Sequence, residues 1–360
     1  MLHLLRPATL IARAAHLIQP SVATGVIAVA GLLTAPMLPA QTPDRDDDRR
    51  QCLEGLLATG ADDLTLGEMR RRCAAADPKL RSNPGSADAP PPGPVQDRLE
   101  VQRDTAPNPF TLLVHRPNYL LPAAWNERGW DPTLFRQAEN DPDYTLDDIE
   151  VQFQFSVKIP LALNLLGDRV DLYAAYTNRS FWQAYNAEYS QPFRETNHQP
   201  ELWAEIPNGR SFFGLTNVAN RIGFAHQSNG QSEPLSRSWD RVYAELLFER
   251  GNWGLSVKPW YIVNDSDDNP DIDDFMGYGE LRVAWSPTNQ RHVVSLMLRN
   301  QLESGFDRGA AELSWSFPFF DYPWVKGYLQ YFHGYGESLI DYDRRVNRIG
   351  IGVAFSDWLD

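Results

Sequence analysis

From residue 110 onward the chain alternates apolar and polar residues with a period of two. The clearest run is Val151, Phe153, Phe155, Val157 and Ile159, set against Glu150, Gln152, Gln154, Ser156 and Lys158. That period belongs to β-strands, whose successive side chains point to opposite faces. Twelve such segments are predicted, starting near residues 111, 149, 170, 194, 217, 237, 253, 276, 291, 309, 325 and 346. Their connections alternate in length. The longer ones run over 125–147, 183–193, 229–236, 264–275, 300–307 and 336–345; the shorter ones run over 163–168, 207–216, 249–252, 286–290 and 317–323. An even strand number with loops sorted to one end is the pattern of an outer-membrane β-barrel, which carries long external loops and short periplasmic turns. With both termini in the periplasm, the longer loops fall outside.

Composition then tests that reading. The chain has 360 residues, a formal net charge of -14, and 11 Trp, 14 Tyr and 17 Phe. Beyond the N-terminus no stretch approaches the roughly eighteen apolar residues of a membrane helix. Barrel strands escape that limit, because half of each strand faces a polar lumen. The acidic balance excludes nucleic-acid binding, since no basic stripe is available to neutralise phosphates. Aromatic residues gather near predicted strand ends (Phe181, Trp182, Trp253, Trp260, Tyr261, Tyr278, Trp315, Trp324, Tyr331, Tyr335 and Trp358), as interfacial girdles require.

The N-terminal part divides differently. Residues 1–40 read as a signal peptide, with Arg6 and Arg13, an apolar segment from Val22 to Leu33, and Leu38-Pro39-Ala40 as cleavage site. Residues 41–81 form a charged tether and a small helical hairpin, closed by a disulfide between Cys52 and Cys73, as expected of two cysteines in an exported chain. Residues 82–108, rich in Pro, Gly, Ser and Ala, read as a linker, and residues 109–360 as the barrel domain. The fold class is thus all-β: a twelve-stranded antiparallel transmembrane barrel behind a short helical hairpin and a Pro-rich linker.

The candidate chemistry lies between the fifth and sixth strands. His226 and Ser228 share a strand face with Ile222 and Phe224, and Asp240 shares one with Val242, Ala244, Leu246 and Phe248. A nucleophile, a base and an orienting group therefore all fall on rows of apolar residues at the outer end of one hairpin. Serine needs such partners, since its hydroxyl holds its proton at neutral pH. Reactive groups on an apolar row make sense if that row meets lipid. Gly230, just beyond, lets backbone amides approach a developing oxyanion.

The segments His226-Gln227-Ser228-Asn229-Gly230 and Ser236-Arg237-Ser238-Trp239 resemble the active-site region of the outer membrane phospholipase A family. So do Tyr176-Thr177, the run from Pro192 to Asn197, Lys258-Pro259-Trp260-Tyr261, Asp267 to Asp271, and Gly334 to Tyr342; the likeness spans roughly residues 108–358. It implies a calcium-dependent serine hydrolase that removes acyl chains, in A1 and A2 fashion, from phospholipids and lysophospholipids as a homodimer. Ser228 becomes nucleophile, His226 base, and the Ser228 and Gly230 amides the oxyanion donors. Asp240 stands where the family usually has Asn. The resemblance further implies Ca2+ held by the Ser236 hydroxyl, the Gln231 carbonyl and the Ser190 carbonyl of a second copy. A second calcium position maps to Glu233 and Asp268, and Asn178 to a polar residue of the dimer contact. The rival reading is a passive barrel, a porin or scaffold, with a wide polar lumen and an incidental His-x-Ser.

Overall fold

The structure is a computed structural model that describes residues 93–359 apart from 109, 288–290, 301, 303, 321 and 323, together with Gly55. The signal peptide, the Cys52–Cys73 hairpin and most of the Pro-rich stretch lie outside the described residues.

Strands β1 (Leu113–Val114), β2 (Asn118–Asn126), β3 (Ile149–Asn164), β4 (Val170–Trp182), β5 (Phe193–Phe212), β6 (Leu215–Ser228) and β7 (Ser238–Arg250) lead into β8 (Trp253–Asp265), β9 (Gly279–Trp285), β10 (Val293–Arg299), β11 (Ala310–Pro318), β12 (Lys326–Gly334) and β13 (Val346–Ser356). Each of β2 to β13 pairs antiparallel with its chain neighbours, and β13 pairs with β2, so twelve strands close into a barrel. The two-residue β1 adds only an arm against β3. The expected first strand is therefore split. Pro117 lacks an N–H and keeps the preceding residue from regular pairing, so the barrel ladder starts at Asn118.

Closure satisfies every edge, the condition for a sheet in lipid. The outward rows are apolar: Phe155, Ile159, Leu202, Ile222, Phe224, Val242, Leu246, Ile349 and Ile351 are all exposed. The turn predicted over 207–216 is much tighter. Strand β5 runs on to Phe212, and Phe213 (φ 51°) and Gly214 (φ 78°) make a two-residue turn into β6. Two successive positive φ values suit a hairpin whose strands twist right-handed. Of the expected girdle, Trp253, Tyr261, Tyr278, Trp315, Trp324 and Tyr331 do face outward, whereas Phe181 and Trp260 are buried inside. Strand-end position is shared by both faces, and only register tells them apart.

The inward rows carry charge in pairs. Glu201 meets Arg116 at 2.9 Å, His115 at 3.0 Å and Lys258 at 3.2 Å. Arg221 bridges Glu205 (2.7 Å) and Glu245 (3.0 Å), and Glu337 binds Arg348 (2.5 Å) and Arg179 (3.0 Å). What space remains is a polar cavity among these side chains. A lumen filled this way is a core, not a wide channel. Removing one partner of such a buried pair strands the other's charge, so Glu337→Leu is expected to lower unfolding free energy by about 3–5 kcal/mol. Denaturant titration of the barrel in detergent reads this out; an unchanged midpoint would show that Arg348 and Arg179 find other partners.

One expectation is corrected. Within the stretch read as linker, α1 (Pro94–Thr105) is a helix belonging to the barrel unit. Pro94 starts it, and the Glu249 carboxylate accepts from the Gly93 and Gln96 amides, both at 3.0 Å, filling the role of an N-cap from a distant strand. Val95 and Leu99 pack on Val218, Ala219 and Leu247, and Arg98 donates to the carbonyls of Trp358 and His115. The helix closes the barrel at its short-turn end. Its composition alone looks like a tether because most of the partners that stabilise it, Glu249, Val218, Ala219, Leu247 and Trp358 among them, lie more than a hundred residues away.

Candidate active site

At the long-loop end of β6 and β7, register brings the candidate residues together. His226 pairs with Asp240 and Ser228 with Ser238. The His226 Nδ1 and Asp240 Oδ1 atoms stand 2.7 Å apart, with both side chains partly exposed on the outward face. An ionised carboxylate only accepts, so Nδ1 carries the imidazole proton and Nε2 keeps its lone pair. That lone pair is what a base for a hydroxyl requires. Ser228 lies two residues along the same strand, about 7 Å away between Cα atoms. Among the described hydrogen bonds, none joins Ser228 to His226. The serine hydroxyl moves between staggered rotamers without backbone change, and such contacts commonly tighten only with substrate bound.

Behind this pair the loop from Asn229 to Arg237 is cinched by one buried side chain. Asn229 donates from Nδ2 to the Leu235 carbonyl (2.7 Å) and Glu195 (3.2 Å), and its Oδ1 accepts from the amides of Gln231 and Arg237. Gly230 follows at φ +66°, a conformation that a side chain disfavours. Glu195 and Asn197, inward on β5, reach the other way: they accept from the amides of Ile340 and Leu339. Arg194 joins Glu150 (2.9 Å) and Asp341. The motifs around residues 192–197 and 334–342 thus tie the loop after β12 to the Ser228 loop.

The acidic loop docks from the opposite side. Asn269 is fully buried, accepts from the Ser238 amide at 3.0 Å and donates to the Ser238 carbonyl at 3.1 Å. Ile272 and Met276 of the short helix α2 (here Ile272–Met276) anchor the same loop in the core. Tyr342 donates to Asp271 at 2.5 Å, and its burial raises the phenol pKa, keeping it a donor. Asp273 and Asp274 are engaged by Tyr278 and Arg308. The loop is therefore a built support for the start of β7, next to Asp240, more than a solvated acidic run. Spacing had no means of marking Asn229, Glu195 or Asn269, since their partners come from four separate loops and strands.

The calcium candidates scatter around this core. Ser190, Gln231 and Glu233 are exposed, Ser236 half-buried, and Asp268 accepts from Ser266 at 3.1 Å. Among the described residues no cluster of three or more His, Cys, Asp or Glu has metal-holding geometry. Ser190, Gln231 and Ser236 offer carbonyl and hydroxyl oxygens and Glu233 and Asp268 offer carboxylates, all oxygen donors that suit a hard cation such as Ca2+. The cinched turn uses the Ser232, Leu235 and Arg237 carbonyls internally, and none of the described hydrogen bonds uses the Gln231 carbonyl or the Ser236 hydroxyl. The donor set fits the ion. Asn178 lies outward in the row Phe155–Asn178–His198, half-buried.

A family model described as Phospholipase A1 matches residues 95–355. The chain belongs to the phospholipase A1 family. It is therefore a phospholipase built as an outer-membrane β-barrel. Phospholipase A1 of Klebsiella pneumoniae is 40% identical over 252 residues, covering 69% of this chain and 84% of that protein. The Escherichia coli K12 enzyme is 40% identical over 251 residues, covering 69% and 83%. Among solved structures, outer membrane phospholipase A from Escherichia coli superposes with a TM-score of 0.63 at 39% identity, over 69% of this chain and all (100%) of that one. A Salmonella typhi outer membrane phospholipase, solved as a dimer with bound calcium, gives 0.63 at 38% identity, over 69% and 94%.

Proposed function

We propose that this phospholipase hydrolyses acyl esters of phospholipids and lysophospholipids, at both A1 and A2 positions, by a Ser228–His226–Asp240 mechanism on the lipid-facing side of the barrel. The observation that carries it is the outward His226–Asp240 pair at 2.7 Å, set on the row next to Ser228 among exposed apolar residues. Asp240 holds the ring and stabilises the imidazolium that forms. His226 Nε2 removes the Ser228 proton as Oγ attacks the ester carbon, then returns it to the leaving alcohol. The amides of Ser228 and Gly230 donate to the oxyanion. An acyl chain and its glycerol reach this face by moving laterally in the membrane, beside Ile222, Phe224 and Val242.

In this reading Gln231, Ser236 and the Ser190 carbonyl of a second copy hold Ca2+, with Glu233 and Asp268 at a further position, and Asn178 lies in the contact between copies. When bound, the ion offsets negative charge growing on the ester oxygen. The long-loop end faces outward and residues 41–81 lie in the periplasm, following the sorting of loops by length. The passive-barrel reading loses its main support, the open polar lumen, to the ion pairs that fill the interior.

The test is fatty-acid release from phospholipid in detergent micelles. Calcium chelation is expected to lower the rate at least about tenfold, with recovery on adding Ca2+ but not Mg2+, whose stricter octahedral shell suits this mixed oxygen set poorly. A rate indifferent to chelation would remove calcium from the mechanism. No release under any condition would return the passive barrel.

A further inference from the structure

Ser228 has a second histidine beside it. On the neighbouring strand β5, His198 pairs in register with Ser228 on one side and with Asn178 on the other. Cross-strand partners lie about 5 Å apart, nearer than His226 along its own strand. Two groups face His198 Nδ1: the Tyr176 hydroxyl at 2.6 Å and the Asn178 amide nitrogen at 3.5 Å. The Asn178 amide is oriented by Ser180, which donates to its Oδ1 at 3.0 Å. An amide NH2 can only donate and a phenol can donate to a bare ring nitrogen, so both contacts fit Nδ1 as acceptor with the proton on Nε2. The Cδ2–Nε2 edge of the ring faces Gly230: a Cβ built on that glycine would lie 3.8 Å from Cδ2 and 4.0 Å from Nε2.

We propose that His198 is a third oxyanion donor, its Nε2–H directed at the ester oxygen alongside the Ser228 and Gly230 amides. The proposal rests on Ser228 being the nucleophile. The two histidines then flank one serine in opposite tautomers, each set by what its Nδ1 touches. Asp240 puts the proton on Nδ1 of His226, leaving Nε2 to take the hydroxyl proton. Tyr176 and Asn178 put it on Nε2 of His198, which therefore donates and cannot serve as base. As the Oγ–C bond forms, the carbonyl π pair moves onto oxygen and is met by this N–H without proton transfer. When the C–O bond to the leaving alcohol breaks, that oxygen takes its proton from His226. Tyr176 acts through His198 and is a positioning residue.

The experiment uses the full-length protein in detergent, with folding checked by heat-modifiable gel mobility, and compares wild type, Ser228→Ala, His198→Phe, His198→Gln and Tyr176→Phe. His198→Phe should lower kcat about 10- to 100-fold with KM little changed, because two amides remain. His198→Gln, whose amide N–H reaches a similar place, should recover most of the loss, and Tyr176→Phe should show a smaller fall in kcat. If His198→Phe does not fold, the latter two variants carry the test. A raised KM at unchanged kcat would make His198 a headgroup contact and overturn the proposal. A loss as complete as that of Ser228→Ala would make it the base and overturn the proposal equally. Wild-type kcat in all His198 and Tyr176 variants would defeat this inference alone; an active Ser228→Ala would defeat the serine reading beneath it.

Discussion

Ser228→Ala is expected to lower phospholipid hydrolysis by on the order of 10^4-fold or more while leaving the barrel folded and able to bind substrate. The size follows from function as a unit. Without the nucleophile, the His226–Asp240 pair has no hydroxyl to activate, and only the oxyanion donors and lateral binding remain. Stability should hardly change. Ser228 is half-buried on the outward face, its backbone is paired to Ser238, and no described hydrogen bond depends on its hydroxyl. His226→Ala should fall to a similar floor, and the double variant should add little. The measurement is kcat for fatty-acid release, set beside urea denaturation of the same samples. An active Ser228→Ala variant would remove the serine mechanism, whatever the family relationship says about the substrate.

The second large effect concerns Asp240. Asp240→Ala removes the acceptor for Nδ1 and frees the ring, with an expected loss on the order of 10^3- to 10^4-fold. Asp240→Asn keeps an acceptor oxygen at the same register position opposite His226, and should stay within about tenfold of wild type if orientation is the main service. The contrast between the two variants is the informative quantity. An Asn variant as poor as the Ala variant would show that the carboxylate charge, stabilising imidazolium at the edge of a low-dielectric face, carries the rate. The apolar surroundings make either outcome physically sharp, since exposed neighbours such as Val242 and Phe224 offer no compensating dipoles.

Local pattern was enough to find the barrel because a strand in a membrane must alternate. Lipid on one side and a polar lumen on the other impose a period of two, and the observed starts at 149, 170, 253 and 346 coincide with the predicted ones. The same rule placed His226, Ser228 and Asp240 on outward rows, where the structure holds them. It failed for α1, whose stability comes from Glu249, Leu247 and the Trp358 carbonyl and not from its own pattern. It also failed for Phe181 and Trp260, because an aromatic near a strand end belongs to either face until register is known.

What the amino-acid sequence determined by itself was therefore the periodic part: twelve strands, their order, the alternation of faces along each, and a serine, a histidine and an aspartate sharing apolar rows. What only the tertiary structure decided was everything that depends on partners distant in the chain. That includes the ion pairs filling the lumen, the Asn229 cinch on Glu195, the Asn269 clasp on Ser238, and the pairing of His198 with Ser228 across β5 and β6. The physical reason is that alternation is a local property of a strand, set by parity, and register then decides which row meets the lipid. Which histidine tautomer stands beside the serine depends on hydrogen bonds from other strands, and those exist only once the barrel has closed.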